Sequence, residues 1–417
     1  GRREEFLSNL GEIKQKPHST MEAKPGSNSS ISDHHQPRRF RRRIETPAAA
    51  ETLPEEIIEQ ILLNLPVRSL LKFTSVSKSW RSLISSNNFI EAHLEFSRKD
   101  PNFTHYRTIS TFLPPRNSSA KHCSFPSLFN GNGVVTDAVD VDFPFDFPKK
   151  IVRVMGICNG LVCIAPNMGH WFLWNPSTRQ YKQLPDECDR TDVVVKYDFK
   201  YGFGFDESTR DYKVLLAHSV LSKGNRYETT VKIYSLRTDS WKRIKFFNGR
   251  RHPSDSGVSG IFVSGKIHWC KKNTGSNLKC HIVSFDIGSE VWGNVAEPSC
   301  VESGSYDSPS LGVLDGCLCV LYDFTRSRIV VWVMKEYGVS ESWAKTVTVP
   351  YVHLPLSNPS IIRPSLCVGP KGEILCMVGS TLMVYNPNDN RFRCPKMRNF
   401  GAFLEAHVYY ESLVSLV

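Results

Sequence analysis

The sequence predicts an α+β multidomain protein, in which a small three-helix unit precedes an all-β propeller of about six blades. Two observations lead to this prediction. Residues 52–85 place apolar side chains at helical spacing. From about residue 105, short strand-like runs recur with a period near 50 residues. The length of 417 residues is itself typical of two or three domains.

Composition limits the class of protein. Hydrophobic residues make up 40% of the chain and charged residues 22%, so most of it can bury a core. The run Ile329–Val333 is typical of the longest apolar runs, and none approaches the roughly 18 residues of a membrane helix. We therefore expect no membrane partner. The charged, polar N-terminus does not have the form of a secretory signal.

The twelve cysteines are scattered along the chain and include no CxxC pair. Most lie within apolar runs, as Cys163 does. We interpret them as free thiols in a reducing compartment, the cytoplasm, the nucleus or both. We expect neither a metal site nor a cofactor.

Residues 1–50 are predicted to form a disordered basic arm. They carry ten Lys or Arg residues against six Asp or Glu, and the run Arg38–Arg43 contains five of the ten. We interpret this run as a solvated charge cluster and expect no nucleic-acid partner; a nuclear-localisation or nucleic-acid patch is the alternative. Residues 1–20 precede the first methionine, Met21, and we expect them to be upstream or non-native sequence.

Three short helices are predicted next. The segment Thr52–Glu55 has the form of a capping box with Pro54 in the first turn, and Pro66 ends the first helix. The apolar residues at helical spacing are Ile57, Ile58, Ile61, Leu62 and Leu65, then Val67, Leu70, Leu71 and Phe73, then Val76, Trp80, Leu83 and Ile84. A unit of about 40 residues is too small to close a core alone. Either a partner or the rest of this chain must complete it, and the sequence leaves both open.

The helical region resembles an F-box. The resemblance runs unbroken across residues 52–90, through Leu53–Leu62, Leu65–Phe73 and Val76–Ile84, and assigns residues 51–95 to that domain. In that family these helices bind the Skp adaptor of Skp–cullin–F-box ubiquitin ligases. Many members have Cys where this chain has Ser77, which is a small-for-small difference.

The resemblance implies an adaptor-binding surface. Trp80 is expected to be the best single anchor, since large aromatic side chains dominate interface hot spots. The residues implied by family position are Leu53, Pro54, Ile57, Ile61, Leu62, Leu65, Pro66, Leu70, Leu71, Val76, Lys78, Trp80 and Leu83. The alternative for each of them, and most directly for Leu62 and Val76, is a role in the helix core.

Five hairpin-like turns mark the repeat in the second region. Each leads into a strand, and the turns are Asn159-Gly160, Arg210-Asp211, Ser264-Gly265, Asp315-Gly316 and Lys371-Gly372. The intervals between them are 51, 54, 51 and 56 residues. A period near 50 residues with several strands per unit is typical of a β-propeller, and kelch repeats have that length.

A second recurring feature is an aromatic residue, a polar residue, and another aromatic residue seven positions after the first. It occurs as Trp174-Asn175 with Tyr181, Phe205-Asp206 with Tyr212, Tyr234-Ser235 with Trp241, Phe285-Asp286 with Trp292, and Tyr385-Asn386 with Phe392. We interpret it as a strand, a polar turn and a return strand, with both aromatics packing on the neighbouring unit. The fourth unit departs from the pattern, because Trp332 and Trp343 are eleven positions apart.

Residues 105–417 are predicted to form the whole propeller. Their 313 residues, at about 53 per repeat, correspond to nearly six blades. The sixth would join residues 105–150 to the last strand, Ala406–Tyr410, which closes the ring and removes exposed sheet edges. A β-sandwich or two unrelated β-domains is the alternative.

The whole arrangement resembles plant F-box proteins with an F-box-associated or kelch-type C-terminal domain. The matching segments are Met155–Leu161, Trp174–Thr178, Tyr201–Asp206 with Asp211–Val214, and the ending Tyr410–Leu416. Strict kelch repeats have paired glycines in every blade, which this chain lacks, so the F-box-associated domain is the better match.

No catalytic motif stands out. Gly202-Phe203-Gly204 lacks the third glycine and the following helix of a phosphate loop, so we interpret these glycines as strand or turn residues. The sequence contains no GxxxxGK[ST], HExxH or GxSxG motif. We therefore expect a non-catalytic protein.

We predict a substrate-recognition subunit of a Skp–cullin–F-box ubiquitin ligase, bound to cullin through the Skp adaptor, with an unknown protein substrate on the propeller. Candidate substrate loops are Asn248–Gly257, with Arg250 and Arg251, and Asn273–Lys279, although solvated loops are the simpler interpretation. The rivals are a Skp-binding scaffold that delivers no substrate, and a propeller lectin, enzyme or other binding module unrelated to ubiquitin.

Overall fold

The computed structural model describes residues 53–416 with interruptions, and everything below refers to that part of the chain. The interruptions are residues 103, 113–119, 132–134, 144–151, 167–169, 187–195, 223–225, 245–257, 273–279, 300–308, 325–326, 351–361, 370 and 402. The predicted arm, residues 1–50, and both candidate substrate loops lie outside the described residues.

Four helices open the described part of the chain. They are α1 (Glu55–Leu63), α2 (Val67–Phe73), α3 (Lys78–Ile84) and α4 (Asn87–Lys99). The hydroxyls of Ser77 and Ser86 accept hydrogen bonds from the backbone N–H of Trp80 (3.1 Å) and Phe89 (3.2 Å), which caps α3 and α4. The three predicted helices are therefore confirmed, with a fourth added.

The start of α1 differs from the prediction. Pro54 has extended backbone angles (φ −52°, ψ 144°), and its carbonyl accepts the N–H groups of Ile57 and Ile58. Pro54 therefore occupies the cap position without a side-chain cap, and the capping box predicted from Thr52 is wrong. The physical reason is that a residue before proline avoids the helical region, so Leu53 cannot start the helix.

Helix α4 was not predicted as a helix, and it extends beyond the expected end of the helical region at residue 95. Its buried face consists of Phe89, His93, Leu94 and Ser97. Two of these four side chains are polar, so the hydrophobic periodicity that marks the first three helices is weak here.

Six sheets of four principal strands follow, and they form the six blades of a β-propeller. Blade 1 contains β5 (Val152–Cys158), β6 (Leu161–Pro166), β7 (Phe172–Trp174) and β8 (Tyr181–Gln183). Blade 2 contains β9 (Lys196–Asp206), β10 (Asp211–Ser222), β11 (Arg226–Ser235) and β12 (Ser240–Ile244), with β13 (Val258–Ser259) parallel to β9. Blade 3 contains β14 (Ile261–Val263), β15 (Lys266–Lys272), β16 (Cys280–Asp286) and β17 (Val291–Val295).

The remaining blades have the same antiparallel order. Blade 4 contains β18 (Ser310–Leu314), β19 (Cys317–Phe324), β20 (Arg328–Met334) and β21 (Trp343–Pro350). Blade 5 contains β22 (Ile362–Val368), β23 (Ile374–Val378), β24 (Thr381–Asn386) and β25 (Arg391–Arg393). Blade 6 contains β1 (Tyr106–Thr111), β2 (Ala120–Ser124), β4 (Val139–Asp140) and β27 (Glu405–Tyr410), while β3 (Thr136–Asp137) pairs separately with β26 (Met397–Arg398).

Blade 6 closes the ring, as predicted. The last strand, β27, pairs with β1 over six positions from Tyr106↔Tyr410 to Thr111↔Glu405. On its other side β27 lies beside β5 of blade 1 and β22 of blade 5. The innermost strand of the closing blade therefore comes from the end of the chain, and the β-sandwich alternative is wrong.

The five predicted turns all connect the first and second strands of a blade. Asn159-Gly160, Ser264-Gly265 and Asp315-Gly316 are two-residue turns in which both residues have positive φ, as mirror-type hairpins require. The other two connections are longer, for example the four residues between β9 and β10, where the Asp206 carboxylate accepts the N–H of Ser208.

The recurring aromatic pairs are cross-strand partners. The partners are Trp174↔Tyr181, Phe205↔Tyr212, Tyr234↔Trp241, Phe285↔Trp292 and Tyr385↔Phe392. The predicted strand–turn–strand unit is confirmed. In four pairs the rings contact each other within the blade, with centroids 4.7–5.4 Å apart. The expected packing on the neighbouring unit is present as well, since Phe285 shares a cluster with Leu215 of blade 2 and Tyr385 shares one with Val347 of blade 4. In blade 4, Met334 takes the aromatic position opposite Trp343.

Gly202 and Gly204 lie on β9, the innermost strand of blade 2. A methyl group at either position would lie within 3 Å of blade 3 side chains, Ile267 for Gly202 and Phe262 for Gly204. These glycines therefore allow two blades to approach closely, which confirms the interpretation as strand residues.

The nine cysteines whose side chains the structure describes are all free. Most are buried, and burial raises the pKa of the Cys158 and Cys376 thiols to about 12. Such thiols stay protonated at neutral pH and act as small core residues.

Substitution of Gly160 and of Gly265, which occupy equivalent turns, should lower the free energy of unfolding by different amounts. At Gly160 (φ +79°) a methyl group would lie 2.6 Å from the Tyr410 carbonyl oxygen, whereas at Gly265 (φ +74°) it meets nothing within 4 Å. Gly265→Ala should therefore cost only the left-handed strain of about 1–2 kcal/mol. Gly160→Ala should cost about 1–3 kcal/mol more from overpacking. Urea unfolding of the full chain checks this, and equal losses of unfolding free energy would contradict it.

A buried histidine predicts acid sensitivity. His105 is 2% exposed, and burial together with the nearby His93 lowers its pKa from 6.5 to about 4. The unfolded chain therefore binds this proton more readily, and the free energy of unfolding falls as pH drops from about 6.5 to about 4, by up to about 1.4 kcal/mol per pH unit. In unfolding curves at several pH values, His105→Leu should flatten this dependence relative to the wild type, and the exposed His170→Leu is the control.

Candidate functional site

The outer surface of the first three helices carries exposed apolar side chains. Leu53, Ile57, Leu71 and Val76 are 51%, 47%, 37% and 48% exposed. They are four of the ten large hydrophobic side chains that are exposed among the described residues, and all four lie within 24 positions of sequence. A concentration of this kind marks a binding surface more often than scattered exposed residues do.

The predicted adaptor-binding residues fall into three groups by burial. Those exposed are Leu53, Pro54, Ile57, Pro66, Leu71, Val76 and Lys78. Those partly buried are Ile61, Leu65, Trp80 and Leu83. Leu62 and Leu70 are fully buried, so the structure places these two in the protein's own core, whereas Val76 is open to solvent.

Trp80 has a mixed environment. Its ring packs edge-to-face on Phe73 with centroids 5.6 Å apart, and part of it stays accessible. Because it also lies against the helical core, Trp80 supports the helices while part of its ring stays exposed.

The inner face of the helices is buried against the protein's own chain. Leu62, Val67, Leu70, Ile84 and Phe89 form one cluster, and Leu413 from the far end of the chain belongs to it. The sequence left open whether a partner or the rest of the chain covers the apolar faces of these helices, and the structure shows a different outcome for each face. The chain itself covers the inner face, and the outer face is left exposed.

Helix α4 attaches this unit to the propeller through apolar contacts. Leu94 packs in a cluster with Met155 and Leu161 of blade 1 and Tyr212 of blade 2. The neighbouring His93 donates its Nε2–H to the Leu65 carbonyl at 2.9 Å, which ties α4 back to the segment between α1 and α2.

A polar network lies at the same junction. The Arg98 guanidinium donates to the Asn159 side-chain oxygen and, at 3.1 Å, to the Tyr410 hydroxyl. Asn159 in turn donates to the Tyr212 hydroxyl at 3.1 Å. Arg98 therefore connects α4 to the first turn of blade 1, to the closing strand and to blade 2.

The same side of the propeller also forms an ion pair with α4. Glu91 pairs with Arg210, which lies in the turn between the first two strands of blade 2. Neighbouring strands in a blade are antiparallel. The connection between the first and second strands and the connection between the third and fourth strands therefore lie on the same side of the propeller as α4. The candidate substrate loops follow β12 and β15, so the strand ends that lead into them face the opposite side.

A groove of about 690 Å³ lies between the start of α2 and blades 1 and 6. Its charged lining is balanced, with Arg68, Arg107 and Arg179 against Asp140, Asp142 and Glu411. Arg107 pairs with Glu411 at 3.1 Å, and burial nevertheless raises the pKa of the Glu411 carboxyl. The balance of charge gives the groove no preference for an anionic or a cationic ligand.

The described residues contain no group of three or more His, Cys, Asp or Glu side chains arranged to hold a metal ion. Within that same part of the chain, no helix is both long and apolar enough to cross a bilayer. Burial raises the pKa of core thiols such as Cys158, whereas hydrogen bonds from Lys213 and from the Ser208 and Thr209 hydroxyls outweigh burial and lower the pKa of the Asp206 carboxyl. Asp206 and Lys213 pair within blade 2, and Lys213 also donates to the Ile287 carbonyl of blade 3.

Sequence reasoning missed the residues that join the two regions. Asn159, Trp174-Asn175 and Leu413 were recognised only as parts of turn motifs or of family-like segments, with no indication of their contacts, and Arg98 gave no signal. Their partners are between 61 and 351 positions away in the chain, so no local pattern could reveal them.

Comparisons with known proteins agree with this architecture. A family model described as an F-box domain matches residues 51–91, and one described as an F-box associated beta propeller domain matches residues 135–415. An F-box/kelch-repeat protein of Arabidopsis thaliana is 30% identical over 367 residues, which cover 87% of this chain and 95% of that protein. The Arabidopsis thaliana F-box protein CPR1 is 30% identical over 80% of this chain and 81% of its own length.

Among solved structures, an oligogalacturonate lyase from Vibrio parahaemolyticus matches with a TM-score of 0.34 and 9% identity, over 57% of this chain and 62% of that one. A likeness this low says nothing about activity. The family models and the Arabidopsis relatives, together with the helical unit and the six blades, show that this chain belongs to the F-box proteins with an F-box-associated β-propeller.

Proposed function

We propose that this protein is the substrate-recognition subunit of a Skp–cullin–F-box ubiquitin ligase. The observation that supports the proposal most directly is the two-faced burial of α1–α3. The inner face is covered by the protein's own chain, and the outer face keeps Leu53, Ile57, Leu71 and Val76 exposed. These four residues are among those that the F-box resemblance assigns to the Skp adaptor.

The mechanism needs no catalytic residue from this chain. The ubiquitin thioester and its acceptor lysine belong to other proteins, and the subunit acts by raising the effective concentration of substrate near the charged conjugating enzyme. The F-box helices bind the adaptor and, through it, cullin. The substrate binds the propeller.

The substrate surface is proposed to lie on the side of the propeller away from α4. Helix α4 occupies turns of blades 1 and 2 through Arg98 and Glu91, which leaves the opposite strand ends for a partner. Asn248–Gly257 and Asn273–Lys279 remain the candidate substrate loops. A cytoplasmic or nuclear location is proposed with this function, because the buried free thiols suit a reducing compartment.

Polar substitution of the exposed face should weaken adaptor binding without unfolding the protein. In calorimetry with purified Skp adaptor, Ile57→Asp and Val76→Asp should each lower the affinity at least about thirtyfold, the size of a hot-spot loss. Val291→Asp makes the same chemical change at a 59% exposed position on blade 3 and should have no effect. Equal affinities for all three variants would contradict the assignment.

Leu53, Pro54 and Trp80, which the F-box resemblance assigns to the adaptor, provide an independent test. Leu53→Ala combined with Pro54→Ala, or Trp80→Ala alone, should abolish co-purification of the Skp adaptor while the propeller keeps its thermal unfolding transition. Trp80→Ala should also loosen the helices, since Trp80 packs on Phe73, whereas the double variant changes only exposed side chains. Retained adaptor in both variants would rule out this surface.

Delivery of a substrate for ubiquitination distinguishes the proposed ligase subunit from a Skp-binding scaffold. Proteins that co-purify with the intact chain should become more abundant when the chain is removed from cells, and should be ubiquitinated in a reconstituted ligase. Partners whose abundance and ubiquitination do not change would instead indicate a Skp-binding scaffold.

A further inference from the structure

The last residues of the chain lie between the F-box helices and the propeller. We name this segment, Glu411–Leu416, the C-terminal tail. Ser412, Leu413, Val414 and Leu416 are each less than 9% exposed, whereas Ser415 is open to solvent. So much burial in six residues outside any strand requires contacts on two sides.

The tail divides its side chains between the two regions. Leu413 packs into the F-box cluster with Leu62, Leu70 and Phe89. Val414 and Leu416 pack instead with the residues of blades 1 and 2 and with Leu94 of α4. Successive side chains of an extended segment point to opposite sides, which explains how neighbours serve different cores.

The propeller fixes the tail through its backbone. The fully buried Asn175 donates its side-chain N–H groups to the carbonyls of Ser412 (3.1 Å) and Val414 (2.8 Å). The Ser412 N–H donates to the Ser177 hydroxyl at 3.2 Å. Both anchors belong to the turn between β7 and β8, so blade 1 determines where Leu413 is presented.

The tail also follows directly from the strand that closes the ring. Tyr410 ends β27, and Glu411 donates its N–H to the His105 carbonyl at 2.9 Å just before β1. The position of the tail therefore depends on the pairing of β27 with β1.

We propose that the C-terminal tail couples the folding of the F-box helices to closure of the propeller, with Leu413 as the positioning residue. This inference rests on the proposed function only where it concerns adaptor binding. A chain whose ring is open cannot place Leu413 in the F-box core, and its adaptor-binding helices stay loosely packed. Adaptor affinity then falls in proportion to the fraction of chains with a competent F-box.

The test is hydrogen exchange of the full-length chain, read by mass spectrometry, with adaptor affinity measured on the same samples. Leu413→Ala, and a chain ending at Ser412, should exchange at least tenfold faster in α1–α3 and leave β14–β25 unchanged. Both should bind the Skp adaptor at least tenfold more weakly. Leu413→Met fills the same space and should restore both properties.

Two variants of neighbouring tail residues serve as controls for Leu413→Ala. Val414→Ala truncates the neighbouring side chain that faces the propeller, and it should speed exchange in blade 1 more than in α1–α3. Ser415→Ala alters the exposed position, whose hydroxyl lies 3.3 Å from the Gln180 side chain, and should leave all exchange rates unchanged. Exchange of α1–α3 at the wild-type rate in Leu413→Ala would overturn the inference.

A variant outside the tail tests the coupling itself. Ala406 is 2% exposed on β27, and Ala406→Asp should loosen the pairing with β1 without touching the F-box. Faster exchange of α1–α3 in this variant supports coupling, while wild-type protection there alongside exposed β1 and β27 would overturn it. If the wild-type chain fails to bind the adaptor, the proposed function fails, and the exchange rates still decide the role of the tail.

Discussion

The pairing of β27 with β1 is the constraint on which the rest of the structure depends. It joins strands about 300 residues apart, removes the exposed edges of an open ring, and sets β27 between blades 1 and 5. Because the tail continues from β27, the same pairing determines where Leu413 meets the F-box. Closure of the ring and completion of the helical core are thus consequences of one contact between distant segments.

The F-box helices illustrate a general limit on small units. Three short helices have more apolar surface than they can bury among themselves. In this protein the apolar side chains lie on two faces of the helices. Leu62 and Leu70 face inward and pack with Leu413, whereas Ile57 and Val76 face outward and are exposed. The inward contacts hold the helices in place, so the outward residues are presented in a fixed arrangement. A preorganised surface loses less conformational entropy when a partner binds.

The junction combines apolar and polar contacts that have different roles. Burial of Leu94 among blade residues supplies non-directional attraction. The hydrogen bonds of Arg98 to Asn159 and Tyr410 are directional, and they fix the rotation of α4 against blade 1. A fixed rotation of α4 also determines how the exposed side chains of α1–α3 are oriented relative to the blades.

The sequence by itself determined the architecture, because local chemistry encodes it. Apolar spacing and proline marked α1–α3, hairpin-like turns such as Asn159-Gly160 marked blades 1 to 5, and the repeat length predicted six blades including the closing one. Helix α4, the burial of Leu62 and Leu70, and the attachment of Leu413 and Arg98 were decided only by tertiary structure. Each depends on contacts between residues far apart in the chain, which periodicity cannot register because it reports only which neighbours share a face.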